Sequence, residues 1–223
     1  MTLPTKIQKF LEEITYSVNP KFEIKNKAHP DWVLKIAGMV VGLFNKRFDT
    51  DYITVINGKC WFPASNFNEA GDFIADEKST IEILAHETLH EYDRKRLGTF
   101  LYTVLYLSPQ IFAIFSLLSI FAIWNLWWLL SLLFLVFLAP IPSIGRAYIE
   151  LRGYRTNMML ARRGFINIDL EYYSNWIAEK QFCGPSYYFM MPFKHLMIKK
   201  LQSTEFQKEE IYSKILNWFK INL

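Results

Sequence analysis

From Leu97 to Gly145 the chain carries no Asp, Glu, Lys, Arg or His. So long an uncharged run excludes an ordinary water-facing surface there. The flanking sequence has a normal charge density, so the chain reads as a soluble domain interrupted by a membrane insert. Cysteine is scarce as well. Cys60 and Cys183 stand far apart, which implies neither a disulfide framework nor cysteine-based metal spacing. Each is expected as a reduced, partly buried thiol. The opening stretch MTLPTKIQKFLEEITYSV lacks an apolar core, so no cleavable signal peptide is expected. The net charge of +4 is modest, and no basic-aromatic pattern calls for nucleic acid. Lys199-Lys200 reads as a solvated helix face. Other basic residues flank the insert, which fits an anionic membrane face.

What is present is dominated by the insert, Thr99 to Pro142. As one helix it would be about 65 Å long, too long for a single crossing of a hydrocarbon core of about 30 Å. A two-helix hairpin is expected, turning at Trp124-Asn125-Leu126-Trp127-Trp128, where Asn breaks the run and tryptophans favour the interface. Pro109 is positioned to kink the first span, and Pro140 and Pro142 end the second. A hairpin returns the chain to the side it left. Arg94, Lys95 and Arg96 precede it and Arg146, Arg152 and Arg155 follow, so the soluble domain and both termini are expected in the cytoplasm.

The rest divides into an N-terminal part, 1–98, and a C-terminal helical part, 143–223. An amphipathic helix is expected over 5–17, then a polar connector, NPKFEIKNKAHP. Asp31 caps a second helix through Phe44, with Trp32, Ile36, Met39, Val40 and Leu43 as its apolar stripe. DYITVI and KCWFPAS flank Asn57-Gly58, the pair preferred where both turn residues need positive φ. Pro63 suits an edge strand. Ser79-Thr80-Ile81-Glu82 resembles a capping box opening a helix from about Thr80 to Arg96. After the insert, helices are expected from Ser143 to about Arg163 and over about 169–182, 187–201 and 205–219. The fold class is therefore mainly α with a small β-hairpin or sheet.

His86-Glu87-Thr88-Leu89-His90 lies inside the capped helix. Residues i and i+4 point the same way, so His86 and His90 can offer two nitrogens to one ion. Glu87 lies about 100° round the helix from His86. There it can hold a water beside the ion and take its proton. A catalytic zinc site commonly has a third protein ligand. Glu150, on the first helix after the insert, is the expected one. Asp93, at i+7 from His86, is placed to support a ligand imidazole rather than to bind directly.

HExxH, an apolar hairpin and then a helix with a third-ligand Glu is the order that resembles membrane gluzincins of the HtpX and CAAX prenyl-protease kind. The resemblance covers roughly residues 31–160. Those proteases usually carry a small residue three positions after the ligand Glu and an Asp four positions after it. Here Gly153 matches and Tyr154 does not. Asp93 or Tyr154 is the expected stand-in for that Asp. The resemblance implies a zincin-like metalloprotease domain with an inserted transmembrane hairpin.

The implied reaction is peptide-bond hydrolysis. Zn2+ would polarise the scissile carbonyl, Glu87 would act as general base, and a further donor would stabilise the oxyanion. His195, Tyr187 and Tyr188, in CGPSYYFMMPFKH, are the candidates for that donor, with Gly184-Pro185 read as a helix-start turn. The expected substrate is a polypeptide at or in the membrane, paired along the Asp51–Ser65 hairpin edge; the other expected partner is the lipid bilayer. The alternatives are a non-catalytic membrane protein with structural zinc and a zinc hydrolase of a non-peptide substrate.

Overall fold

The computed structural model describes residues 1–42, 48–139, 141–184, 189–204 and 209–223. The expected end of the second helix at Leu43 and Phe44, and the starts of the two last helices at Tyr187 and Glu205, lie outside the described residues. The chain divides into two compact units, Met1–Tyr92 with Gln207–Leu223, and Asp93–Phe206. The division falls inside one helix.

In the first unit, α1 (Thr5–Phe10) continues through a π-helical turn (Leu11–Thr15) to Tyr16–Val18. It lies parallel to α3 (Glu77–Leu97), as the order of their contacts shows. Glu77 Oε1 accepts from the Lys6 amide at 2.8 Å, the Thr15 and Thr88 hydroxyls share a buried bond of 2.9 Å, and Asn19 donates to Glu91 at 2.8 Å. Phe10 meets Trp218 edge-on, with centroids 4.9 Å apart, and so seats the C-terminal helix (Glu210–Asn222).

A three-stranded sheet completes this unit, in the order β1 (Glu23–Asn26), β3 (Lys59–Phe62), β2 (Thr54–Ile56). β1 is parallel to β3, and β2 is antiparallel to it. Asn57 and Gly58 both take positive φ in the hairpin turn, 52° and 76°. The expected edge position of the Pro63 strand is corrected. β3 is central, and Pro63 falls just beyond its last residue, where a missing N–H costs the ladder nothing. The strand β1 replaces part of the expected connector.

α2 (Trp32–Gly42) starts as expected, with the Leu34 amide donating to Asp31 at 3.0 Å. Its expected stripe faces outward: Trp32, Ile36 and Met39 are exposed, and Leu34 instead packs with Phe48 and Trp61. The side chain of Val40 lies outside what the structure describes, as does Leu43. α3 begins three residues earlier than expected, because Asp76 rather than Ser79 caps it. The Ser79 amide donates to Asp76 at 2.8 Å, and that bond holds the Asp76 carboxyl below the usual range.

The second unit is built on α4 (Thr99–Leu107) and α5 (Ile144–Arg162). Ser143 caps α5 as expected, accepting from the Arg146 amide at 3.3 Å. The helices touch backbone to side: a Cβ on Gly145 would sit 2.4 Å from the Leu105 carbonyl oxygen. α6 (Leu170–Trp176), extended by a π-helical stretch (Ile177–Phe182), and α7 (Lys194–Gln202) pack on α5 through Leu151, Met158, Ile177, Phe182, Met197 and Leu201.

The apolar run is not two long helices. α4 ends at Ser108-Pro109, and two 3-10 helical arms follow, Gln110–Ile123 and Leu126–Leu138. No single helix among the described residues is long and apolar enough to cross a membrane. α4 and the first arm pass that test together, but across an 89° bend. The chain reverses at Trp124-Asn125, where the Asn125 side chain accepts from the Trp127 amide at 3.0 Å. The arms pair antiparallel, through Phe112 with Phe137, Phe115 with Phe134, and Phe121 with Trp128. In a 3-10 helix residues three apart eclipse. Phe112, Phe115 and Phe121 therefore form one ridge, and Trp128, Ser131, Phe134 and Phe137 the facing one.

The basic flank after the run is partly internal. Arg146 and Arg152 are buried rather than facing water. Arg146 donates to the Tyr106 carbonyl and to Gln110, at 2.8 and 3.1 Å, and Arg152 to Asp93.

Two outcomes follow from this packing. Gly145→Ala forces α4 and α5 apart and is expected to cost about 1–3 kcal/mol, measured by chemical denaturation of the full chain. The second concerns Lys27, whose buried ammonium donates to the Phe48 and Tyr52 carbonyls at 2.6 and 2.7 Å. Burial pulls its pKa down from 10.5 to about 8, against the attraction of Asp49. Below about 8 both folded and unfolded chains hold the proton; between about 8 and 10.5 only the unfolded chain does. Stability therefore rises with pH across that window. The denaturation midpoint of the wild type is expected to climb there relative to Lys27→Met.

Candidate metal centre

α3 presents its histidines because its other face is fixed. Ile81, Leu84, Ala85 and Leu89 are fully buried, and the Thr88 and Glu91 bonds to α1 set the rotation of the helix. His86 and His90 sit at the buried end of the exposure range, 9% and 7%. Their Nε2 atoms converge to 3.0 Å, with the rings at 76°. Tetrahedral zinc with Zn–N of about 2.05 Å would set two such nitrogens about 3.3 Å apart, so a shift of a few tenths of an ångström admits the ion.

Glu150, on α5, is 4% exposed. His86, His90 and Glu150 each offer a ligand atom, and these atoms lie within 4.8 Å of one another. This buried group can hold a metal ion. Two imidazoles and a carboxylate form a donor set of intermediate softness that suits zinc. Burying a carboxylate costs free energy unless a positive charge or strong donors compensate it. One such donor is present: the Tyr106 hydroxyl donates to Glu150 Oε1 at 2.7 Å.

Glu87 is half-buried, one residue after the first histidine. It also lies near the sheet: burial pushes the Cys60 thiol well up, and the Glu87 and Glu91 carboxylates add to that.

The remaining expected residues have other contacts. Asp93 gives its carboxylate to Arg152 Nε at 2.7 Å, with both side chains almost wholly buried. Tyr154 belongs to the apolar core, edge-on to Phe182 with centroids 5.8 Å apart. His195 is exposed in the first turn of α7, whose inward residues are Met197 and Leu201. Tyr187, Tyr188 and Pro185 lie outside the described residues. Tyr106 escaped the sequence reading because it lies within a run taken as lipid-facing. The available signal was Tyr102 and Tyr106, two hydroxyl-bearing rings four apart, which stack at 5.9 Å.

No protein-family model, curated protein or solved structure matches this chain.

The Asp93–Arg152 pair yields a stability prediction. Asp93→Asn removes the carboxylate charge from this buried pair and is expected to cost about 3–5 kcal/mol. Replacing both residues with apolar ones is expected to cost less than Asp93→Asn alone. Denaturation of the two single variants and the double variant reads this coupling directly.

Proposed function

We propose that the chain is a membrane-bound zinc-dependent endopeptidase, distantly related in plan to the gluzincins. The observation that carries this reading is the buried group of His86, His90 and Glu150, with a half-buried Glu87 one residue after His86. Zinc, when bound, would supply Lewis acidity to the scissile carbonyl and to an attacking water.

The rest of the chemistry belongs to side chains of this chain. His86 and His90 hold two positions on one helix face, and Glu150 provides the third and the only anionic one. Glu87 is not needed as a ligand and serves as general base. It takes a proton from water as the new C–O bond forms, then gives that proton to the amine nitrogen as the C–N bond breaks. Its greater exposure fits a group that must meet substrate, whereas the ligands need only meet the ion. β1 and β2 are the edge strands of the sheet, and an edge offers an extended peptide main-chain hydrogen bonds of low sequence preference.

The membrane part of the reading rests on the two arms. At about 2.0 Å per residue in 3-10 geometry, the arms reach about 28 and 26 Å, close to the hydrocarbon thickness of about 30 Å. Their outward residues Ile114, Leu117, Ile120, Ile123, Leu133 and Val136 are all exposed, a surface that water disfavours. Trp124 and Trp127 stand at the tip, as interfacial residues do. With the soluble parts on the cytoplasmic side, the substrates would be membrane or membrane-proximal polypeptides.

Glu87→Gln tests the assignment in the purified, lipid-reconstituted full chain. Zinc content by elemental analysis is expected to stay at the wild-type level, while cleavage of an unstructured polypeptide falls about 10²–10⁴-fold. A wild type without zinc, or a Glu87→Gln variant that cleaves normally, would overturn it.

A further inference from the structure

We propose that Tyr106 is a positioning residue for the metal ligand Glu150, and that through it the base of the apolar arms is part of the metal centre. The proposal rests on the reading of His86, His90 and Glu150 as that centre. A carboxylate on a helix has several rotamers, and a ligand must hold one of them. The groups that hydrogen-bond to ligands set this orientation and commonly govern affinity. Here the hydroxyl of Tyr106 donates to Oε1 of Glu150 at 2.7 Å. A short bond from a hydroxyl to an ionised carboxylate is among the stronger kinds. It occupies Oε1 and so favours ligation through the other oxygen.

Tyr106 is itself held firmly. Its carbonyl oxygen accepts from Arg146 Nε at 2.8 Å, the guanidinium lies 5.4 Å over its ring, and Tyr102 stacks on it. Each of these contacts sits where the arms begin. Arg146 also donates to Gln110, the first residue of the first arm, and the Ser143 hydroxyl donates to the Ser108 carbonyl at the bend. Gly145 allows α4 to approach α5 closely enough for the hydroxyl to reach. How the arms are seated therefore sets where the Tyr106 hydroxyl lies, and that hydroxyl sets the Glu150 carboxylate.

Metal binding alone tests this, with no need for a substrate. Zinc affinity is measured by chelator competition on the purified full chain, and cobalt binding by the visible absorption that reports ligand geometry. Tyr106→Phe is expected to weaken zinc binding about 10–100-fold and to shift the cobalt bands. Tyr148→Phe, an exposed tyrosine of α5, is expected to change neither. On a Glu150→Ala background, Tyr106→Phe is expected to have no further effect, since the acceptor of its hydrogen bond is gone. Wild-type affinity and spectrum in Tyr106→Phe, with affinity lost in Glu150→Ala, would overturn the positioning role and leave the metal centre standing. An equal loss on both backgrounds would also overturn it, marking Tyr106 as general packing. A wild type that binds neither metal would remove the centre and this proposal together.

Discussion

A buried ion pair, Asp93 with Arg152, holds the last turns of α3 against α5. Two features make it a sharp constraint. Both side chains are almost wholly out of water, so neither charge can relax into solvent if the helices slide. Both also lie close to ligands: His90 is three residues before Asp93 on one helix, and Glu150 is two residues before Arg152 on the other. A buried pair of this kind is weak evidence for added stability, since desolvation offsets much of the attraction. Its value here is register.

The start of α5 is fixed by different means. There α4 and α5 meet through Gly145 and the Leu105 backbone, the Ser143 cap and the Arg146 guanidinium, which bridges the Tyr106 carbonyl and Gln110. These are polar contacts placed at the mouth of an apolar run. They satisfy backbone carbonyls that the 89° break after α4 releases from helical bonding. The arms beyond need few such contacts, because their pairing is a matter of ridges three residues apart. α5 is thus held by a charge pair near its middle and by a hydrogen-bonded joint at its start, with Glu150 between the two.

What could be read in the sequence was what local chemistry decides. The Asn57-Gly58 turn, the Asp31 and Ser143 caps, the helix carrying HETLH and the break at Pro109 each depend on a few adjacent residues. Glu150 was also legible, through chain order and donor chemistry rather than local structure. What escaped depends on partners distant in sequence. β1 has one buried apolar residue, Ile24, in a polar stretch, and it is a strand because β3 pairs with it. The stripe of α2 is periodic, but periodicity does not say which face meets the sheet, and Leu34 meets it. Arg146 and Arg152 read as charges facing an anionic membrane because nothing near them in sequence announces Asp93 or Gln110 as partners. Tyr106 was hidden for the same reason, within a run whose average hydropathy masks one hydroxyl.

Burial differs between neighbours on α3. His86, His90 and Glu150 are buried, and Glu87, one residue from the first histidine, is only half-buried. A surface helix with incidental histidines would show the reverse, with imidazoles in water. A purely structural metal site would have no use for a second acid, Glu87, left only half-buried one residue after the first histidine. Thr15 on Thr88 and Asn19 on Glu91 fix α3, which cannot rotate by one residue without breaking both bonds. The same rotation would pull Leu84, Ala85 and Leu89 from the core. The packing that stabilises the first unit therefore also keeps His86 and His90 buried and leaves Glu87 half-buried.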